Sequence, residues 1–351
     1  MITIGIIDSS VRIRDMKEIH ALKEKYGNEI DFIFMKTTQN PGHQSKIPGL
    51  NVIWLDPKIT PMIKNVENIC KKYNVDILHT HNYPDNYGNW GLQIRDSIGI
   101  PVVHECHDIG YEYASVEADK VTEHVMKNVN KIITVSSGMD EYLDKRYGVK
   151  DKCTIIYPYP NQKLLPIKMR SMSPDCNRMV YQGGLSLNDA PTSKYNHRFY
   201  KNIFNTLGRQ RLKIEVYPAH PETKPTNHGY FIIRSHVPDI SKLYTILTQY
   251  DFGFVGYHKT KSEVMDIAMP NKLFEYIACG LPILGMDYNL ISKFVTDNKF
   301  GVIINKNSLS LPKDFKQQMI DAKMNVLKRR SEFIMENQIH KLKEVYDSVL
   351  K

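Results

Sequence analysis

The segment Met269-Pro-Asn-Lys-Leu-Phe-Glu-Tyr-Ile-Ala-Cys-Gly-Leu-Pro-Ile-Leu284 contains both ends of a short helix and the start of a strand. Pro270 and Asn271 are helix-opening residues, because the first turn has no use for the missing N–H and gains from a cap. Gly280 followed by Pro282 is a stop signal. Phe274, Ile277 and Ala278 recur at helical spacing and predict a face packed on a sheet. Glu275 lies one turn beyond Asn271, on the same face. Backbone N–H groups at a helix start favour an anion such as a diphosphate. Lys272 is placed to neutralise phosphate, and a carboxylate such as Glu275 can accept both hydroxyl protons of a ribose. A capped amphipathic helix with one exposed Glu accounts for the same residues, so the helix alone leaves both readings open.

The surrounding sequence gives that helix a context. Short apolar runs at Ile2–Ile7, Asp31–Met35, Val52–Leu55, Asp76–His79, Pro101–Glu105 and Lys131–Val135 read as strands. Amphipathic stretches at Arg14–Tyr26, Pro61–Tyr73, Gly91–Ile98, Ala118–Asn130 and Met139–Tyr147 read as helices. This rhythm predicts a parallel sheet covered on both faces, with ligand sites at the carboxyl ends of its strands. Pro158, Pro160, Pro166 and Pro174 break the rhythm over Tyr157–Asp175, which reads as a linker. Strands resume at Arg178–Tyr181, followed by Gly183-Gly184, and then at Lys213–Val216, Phe231–Ile233, Phe252–Val255, Pro282–Leu284 and Val302–Ile304. Helices are predicted at Asn196–Leu207, Ile240–Gln249, Asn271–Cys279 and Leu290–Val295, and through most of the tail from Pro312. The fold class is α/β, with two Rossmann-like domains and a cleft between them.

Size and composition agree with this. A chain of 351 residues exceeds one ordinary core, and 42% apolar with 24% charged residues is typical of a folded protein. Five scattered cysteines without a Cys-x-x-Cys pair argue against a disulfide framework or a structural zinc site. The first residues read as a buried strand, not a signal peptide, and no apolar run reaches the roughly 18–20 residues needed to span a bilayer. A cytoplasmic protein is expected. Through residue 165 there are 20 Lys+Arg against 21 Asp+Glu, so the net charge of +9 resides in the second half. That suits an anionic ligand. The positive residues are dispersed and form no nucleic-acid recognition module.

Pro270-Asn-Lys-Leu-Phe-Glu-Tyr-Ile-Ala-Cys-Gly-Leu-Pro282 resembles the donor-site signature of retaining glycosyltransferases of family 4, which have the GT-B fold. Asp76-Ile-Leu-His-Thr-His81, Val102-Val-His-Glu-Cys-His-Asp108 and Ile132-Ile-Thr-Val-Ser-Ser137 resemble the family's strand ends. Val180-Tyr-Gln-Gly-Gly-Leu185 resembles the glycine loop of its nucleotide domain, and Val237-Pro-Asp-Ile-Ser-Lys-Leu-Tyr244 the segment that cradles the base. The resemblance implies an acceptor-side domain over 1–160, a nucleotide-sugar domain over 161–330, and a C-terminal helix over 331–351 that crosses back to the first. Closure about the proline-rich hinge would complete the site. Glu275 would hold the donor ribose. Gly183, Gly184 and the amides of Asn271, Lys272 and Leu273 would hold the diphosphate. Val237 would meet the base, and His107 would lie beside the sugar and the reacting phosphate. No cofactor beyond the UDP- or GDP-linked donor is implied, and no metal.

Some positions depart from the pattern. The family's first Glu of an E-x7-E pair falls at Ile267, with Glu263 and Asp266 nearby but out of spacing. The arginine usual after the first glycine is Gly184, and Lys194 is the nearest candidate for the lysine that follows. The first βα loop is Asp8-Ser9-Ser10 with Arg12 and Arg14, where a Gly-Gly pair is usual. These gaps keep a non-catalytic binding subunit and a UDP-sugar epimerase as alternatives. His79, His81, His104 and His107 invite a metal, but no carboxylate or Cys set completes a tetrahedral site, so structural hydrogen bonding is expected. Adjacent residues on a strand face apart, which argues against a His107–Asp108 general-base pair. Tyr111 and Tyr113 are candidates for an acceptor pocket. The acceptor class implied is a glycan or a lipid-linked sugar, with peripheral association at the inner membrane surface left open.

Overall fold

Ile2–Asp8 is a run of apolar residues buried almost throughout, as a central strand covered on both faces requires. In the computed structural model it is β1, the middle of a seven-stranded sheet. The structure describes residues 1–40, 42–56, 58, 61–82, 85–109, 116–187, 196–258 and 264–351. Along the chain follow α1 (Ile13–Tyr26), β2 (Ile30–Lys36), β3 (Asn51–Trp54), α2 (Met62–Tyr73) and β4 (Ile77–His81). Next come α3 (Asn86–Ile98), β5 (Val102–Cys106), α4 (Val116–Asn128), β6 (Lys131–Thr134), α5 (Ser137–Tyr147) and β7 (Cys153–Ile155). The sheet order is β3-β2-β1-β4-β5-β6-β7, parallel throughout. Because β2 and β4 flank β1, the order reverses there, and the carboxyl ends of β1, β4 and β5 lie side by side.

The second sheet begins with β8 (Arg178–Gly183), α6 (Lys201–Arg209), β9 (Lys213–Pro218), β10 (Thr226–Asn227), β11 (Phe231–Ile233) and α7 (Ile240–Leu247). It continues with β12 (Phe252–Val255), α8 (Val264–Ile267), α9 (Asn271–Ala278), β13 (Ile283–Met286), α10 (Asn289–Asn298) and β14 (Gly301–Ile304). Helices α11 (Phe315–Arg329) and α12 (Ile339–Val349) end the chain. The order β10-β11-β9-β8-β12-β13-β14 repeats the first sheet's reversal, here between β8 and β12. Only the two-residue β10 is antiparallel. The chain forms two compact units, residues 1–161 with 335–351, and residues 162–334. The apolar face of α12, including Ile339, Leu342, Val345 and Tyr346, is buried in the first unit.

The sequence-based elements are present with ends that shift by a few residues. Three differ more. The predicted helix Asn196–Leu207 is a single tight turn, Asn196–Arg198, and then α6 from Lys201. Strands β7 and β10 lack a sustained apolar run and were not expected. Among the described residues, no helix is long and apolar enough to cross a membrane.

Candidate functional site

In the second unit, β8 ends in the glycine loop and α9 begins beside it. Gly183 has φ +133°, a conformation that L side chains rarely adopt. A Cβ there would lie 3.0 Å from Lys272 Nζ, so the glycine brings the ammonium against the loop backbone. Lys272 donates to the Tyr181 hydroxyl at 2.8 Å and lies 4.0 Å above its ring. Tyr181 in turn donates to the Gly184 carbonyl at 2.7 Å. Desolvation, reinforced by the charge of Arg198 and opposed by Glu275, pulls the Lys272 ammonium down to about 7. The residue as a whole is half-buried.

Arg198 is the residue the sequence reading missed. A Cβ on Gly184 would lie 2.8 Å from both Cδ and Nη1 of Arg198. Its guanidinium thus occupies the place from which an arginine at position 184 would project. Glycine at 184 and arginine at 198 are a matched pair, separated by 14 positions, and no local spacing reveals it. Lys194, the other candidate cation, lies outside the described residues, as do Tyr111, Tyr113 and Glu263.

Pro270 is the N-cap of α9, and Asn271 is its first residue. Leu273 is fully buried and its amide donates to the Pro270 carbonyl at 3.0 Å. The Leu273 N–H is therefore committed within the first turn, in contrast to the diphosphate contact that the resemblance implies for it. Glu275 is buried at 4% exposure, and its Oε2 accepts from Gln182 at the end of β8. The backbone N–H of Gln182 donates to the Tyr276 hydroxyl at 2.8 Å. Tyr276 fits because Gly253 in β12 has no Cβ to meet its ring. Helix α9 is thereby fixed to β8 and β12. Val237 is partly exposed in the loop between β11 and α7. Ile267 ends α8, and the neighbouring Asp266 accepts from the Asn289 amide at 3.3 Å.

In the first unit, a charged network fills the carboxyl ends of β1, β4 and β5. Helix α1 contributes Arg14, Asp15, Lys17 and Glu18 from its buried face. Arg14 Nε donates to Glu105 Oε1 at 2.6 Å and lies 2.8 Å from Glu18 Oε1. Burial alone would raise the Glu105 carboxyl, but the Arg14 guanidinium beside it outweighs this and holds it well below the usual range. Burial raises Asp15 well above its ordinary value, and the charge of Asp8 adds to this. Burial also drives His79 down to about 4 and His81 well below the usual imidazole value, so both imidazoles are neutral.

His107 is held by groups outside its own motif. Asn82 Oδ1 accepts from the amides of His107 at 2.9 Å and Asp108 at 3.1 Å, and its Nδ2 donates to the Asp108 carbonyl. Arg12 is 2.6 Å from Asp8 and 3.0 Å from His107 Nε2. A guanidinium only donates, so His107 Nε2 accepts and the proton sits on Nδ1. Asp108 is 3.8 Å from that Nε2, too far for a catalytic pair. His104 has the structural role expected of it, bonded to Thr80 at 2.8 Å and Asp85 at 3.2 Å. For His79 and His81 the expectation that no carboxylate joins them is corrected. The fold brings Glu105 and Asp15 to them.

Residues 22–159 match the family model Glycosyltransferase Family 4. No curated protein sequence matches the chain. Sucrose-phosphate synthase from Thermosynechococcus elongatus superposes with a TM-score of 0.71 at 14% identity, over 99% of each chain. HepE from Anabaena, in complex with UDP and glucose, also gives 0.71, at 12% identity over 99% of this chain and all of its own. The lipopolysaccharide outer core galactosyltransferase WaaB gives 0.68 at 11% identity over 99% of each. A UDP-GlcNAc 2-epimerase from Methanocaldococcus jannaschii is more distant, at 0.54 and 11% identity over 99% of this chain. The fold is GT-B, with two Rossmann-like α/β units. The family match lies within the first unit.

Proposed function

We propose that this chain transfers a sugar, with retention of anomeric configuration, from a UDP-sugar to a glycan or lipid-linked acceptor. The observation that carries the proposal is the convergence of Lys272, Arg198 and the Gly183-Gly184 backbone at the start of α9, with Glu275 one turn further along. Two cations against a glycine loop form a diphosphate site, and a carboxylate at Glu275's distance along the helix suits a ribose. UDP is preferred to GDP because UDP is the nucleotide named in the HepE complexes of the same fold.

Catalysis by this set is positioning and charge stabilisation. Lys272 and Arg198 hold the departing diphosphate, whose own oxygen takes the acceptor's proton, without a metal at the phosphates. With Nε2 taken by the Arg12 guanidinium, His107 serves as a positioning group beside the sugar and not as a general base. Incubation with UDP-sugars and a panel of glycan acceptors, read as UDP release and product anomer by NMR, tests the reading. It predicts acceptor-dependent UDP release that Glu275→Ala and Lys272→Ala abolish, with a retained anomer. An inverted anomer, or full turnover in both variants, contradicts it. Ile267 in place of a carboxylate favours a second reading, a nucleotide-binding subunit, which predicts UDP binding with no release across the panel.

A further inference from the structure

His79, His81 and Glu105 stand on adjacent strands β4 and β5 with side chains 1%, 1% and 0% exposed. His79 Nε2 is 3.7 Å from Glu105 Oε2, and His81 Nδ1 is 3.9 Å from the same oxygen. One ligating atom from each residue lies within 4.8 Å of the others, and His79 Nε2, His81 Nδ1 and Glu105 Oε2 have no hydrogen-bond partner. These separations are too long for hydrogen bonds. They are close to the spacing of ligands around one ion, since bonds of 2.0–2.1 Å in a tetrahedron place ligand atoms about 3.3–3.4 Å apart.

The far sides of His79 and Glu105 are hydrogen-bonded, and a carboxylate faces that of His81 without a hydrogen bond. His79 Nδ1 bonds the Tyr346 hydroxyl of α12 at 2.8 Å. His81 Nε2 faces Asp15 Oδ1 at 3.3 Å. Glu105 Oε1 accepts from Arg14 at 2.6 Å. A hydroxyl or carboxylate behind each ligating imidazole, and a cation behind the carboxylate, is the outer arrangement that orients metal ligands. A second set, Asp8, Asp15 and His81, shares His81, but its carboxylates are already turned to Arg12 and to the cap of α1.

We propose that His79 Nε2, His81 Nδ1 and Glu105 Oε2 bind one divalent transition-metal ion, zinc by ligand type, as a structural centre of the first unit. The set supplies two imidazole nitrogens and one carboxylate oxygen, donor types that suit this ion. This site is separate from the nucleotide site of the second unit, and no step of sugar transfer passes through it.

The test uses the full chain, stripped with chelator and re-equilibrated with Zn2+ or Co2+. Elemental analysis should find about one zinc per chain, and the cobalt form should show the visible bands of a four-coordinate ion. Tyr346→Phe should weaken zinc about 10- to 100-fold while keeping the stoichiometry at saturation. His79→Gln and Glu105→Gln should lose the ion yet still be stabilised by UDP, which distinguishes this site from the nucleotide site. Less than about a tenth of an equivalent of zinc in the wild type, with no cobalt bands, would overturn the proposal. So would unchanged stoichiometry and affinity in a folded His79→Gln. If the glutamine variants do not fold, the wild-type stoichiometry and cobalt spectrum decide the matter, because a network that merely shares a proton takes up no metal.

Discussion

Lys272 is the residue whose chemistry is most easily read out. Its ammonium titrates near 7 in the free protein, because its surroundings desolvate it and Arg198 repels it. A bound diphosphate raises that value. Affinity for a UDP-sugar should therefore be highest below pH 7 and fall by up to about tenfold per pH unit above it, until the bound-state pKa is reached. Calorimetric titration from pH 6 to 9 checks this, and Lys272→Arg should flatten the profile because a guanidinium stays charged. Arg198→Ala should raise the dissociation constant about 10- to 100-fold, the worth of one charge-assisted hydrogen bond. Gly184→Ala should show a similar loss without unfolding, since the added methyl displaces Arg198. Lys272 and Glu275 were legible in sequence because one helix start holds both. Arg198 was not, because only the fold brings it to Gly184.

Helix α1 shows where element-level reading falls short. Its sequence reads as an amphipathic surface helix, yet its buried face carries Arg14, Asp15, Lys17 and Glu18. Apolar periodicity locates a helix but does not show that its inner face meets buried carboxylates and histidines at three strand ends. Removing one member of such a cluster leaves the others uncompensated. Arg14→Met should cost about 3–5 kcal/mol in denaturant unfolding, because Glu105 and Glu18 then lose their shared cation. A loss below about 1 kcal/mol would mean that water or protons compensate the carboxylates. Asn82 follows directly after the His-x-His strand end and was not singled out in the sequence. Asn82→Ala leaves the His107 and Asp108 amides without their acceptor, and should cost about 1–3 kcal/mol in stability together with a fall in kcat.

At the scale of the whole molecule, alternation of strands and helices was enough to read two α/β units, because parallel strands buried on both faces are short, apolar and β-branched. The restart at Arg178 and the order of the motifs supplied the rest. What the linear pattern lacks is the convergence of distant residues at each sheet's reversal point, which topology alone creates. The central claim is that the second unit holds a uridine nucleotide through α9 and the glycine loop. The measurement that tests it most directly is the thermal unfolding of the full chain with UDP, GDP and ADP, repeated on Glu275→Ala. A ligand at about 100 times its dissociation constant adds about 2.7 kcal/mol, a clear rise in Tm. The account predicts that UDP raises the wild-type Tm more than GDP or ADP does, and that Glu275→Ala loses the effect. Equal stabilisation of wild type and variant by UDP, or no response to any of the three nucleotides, would contradict it.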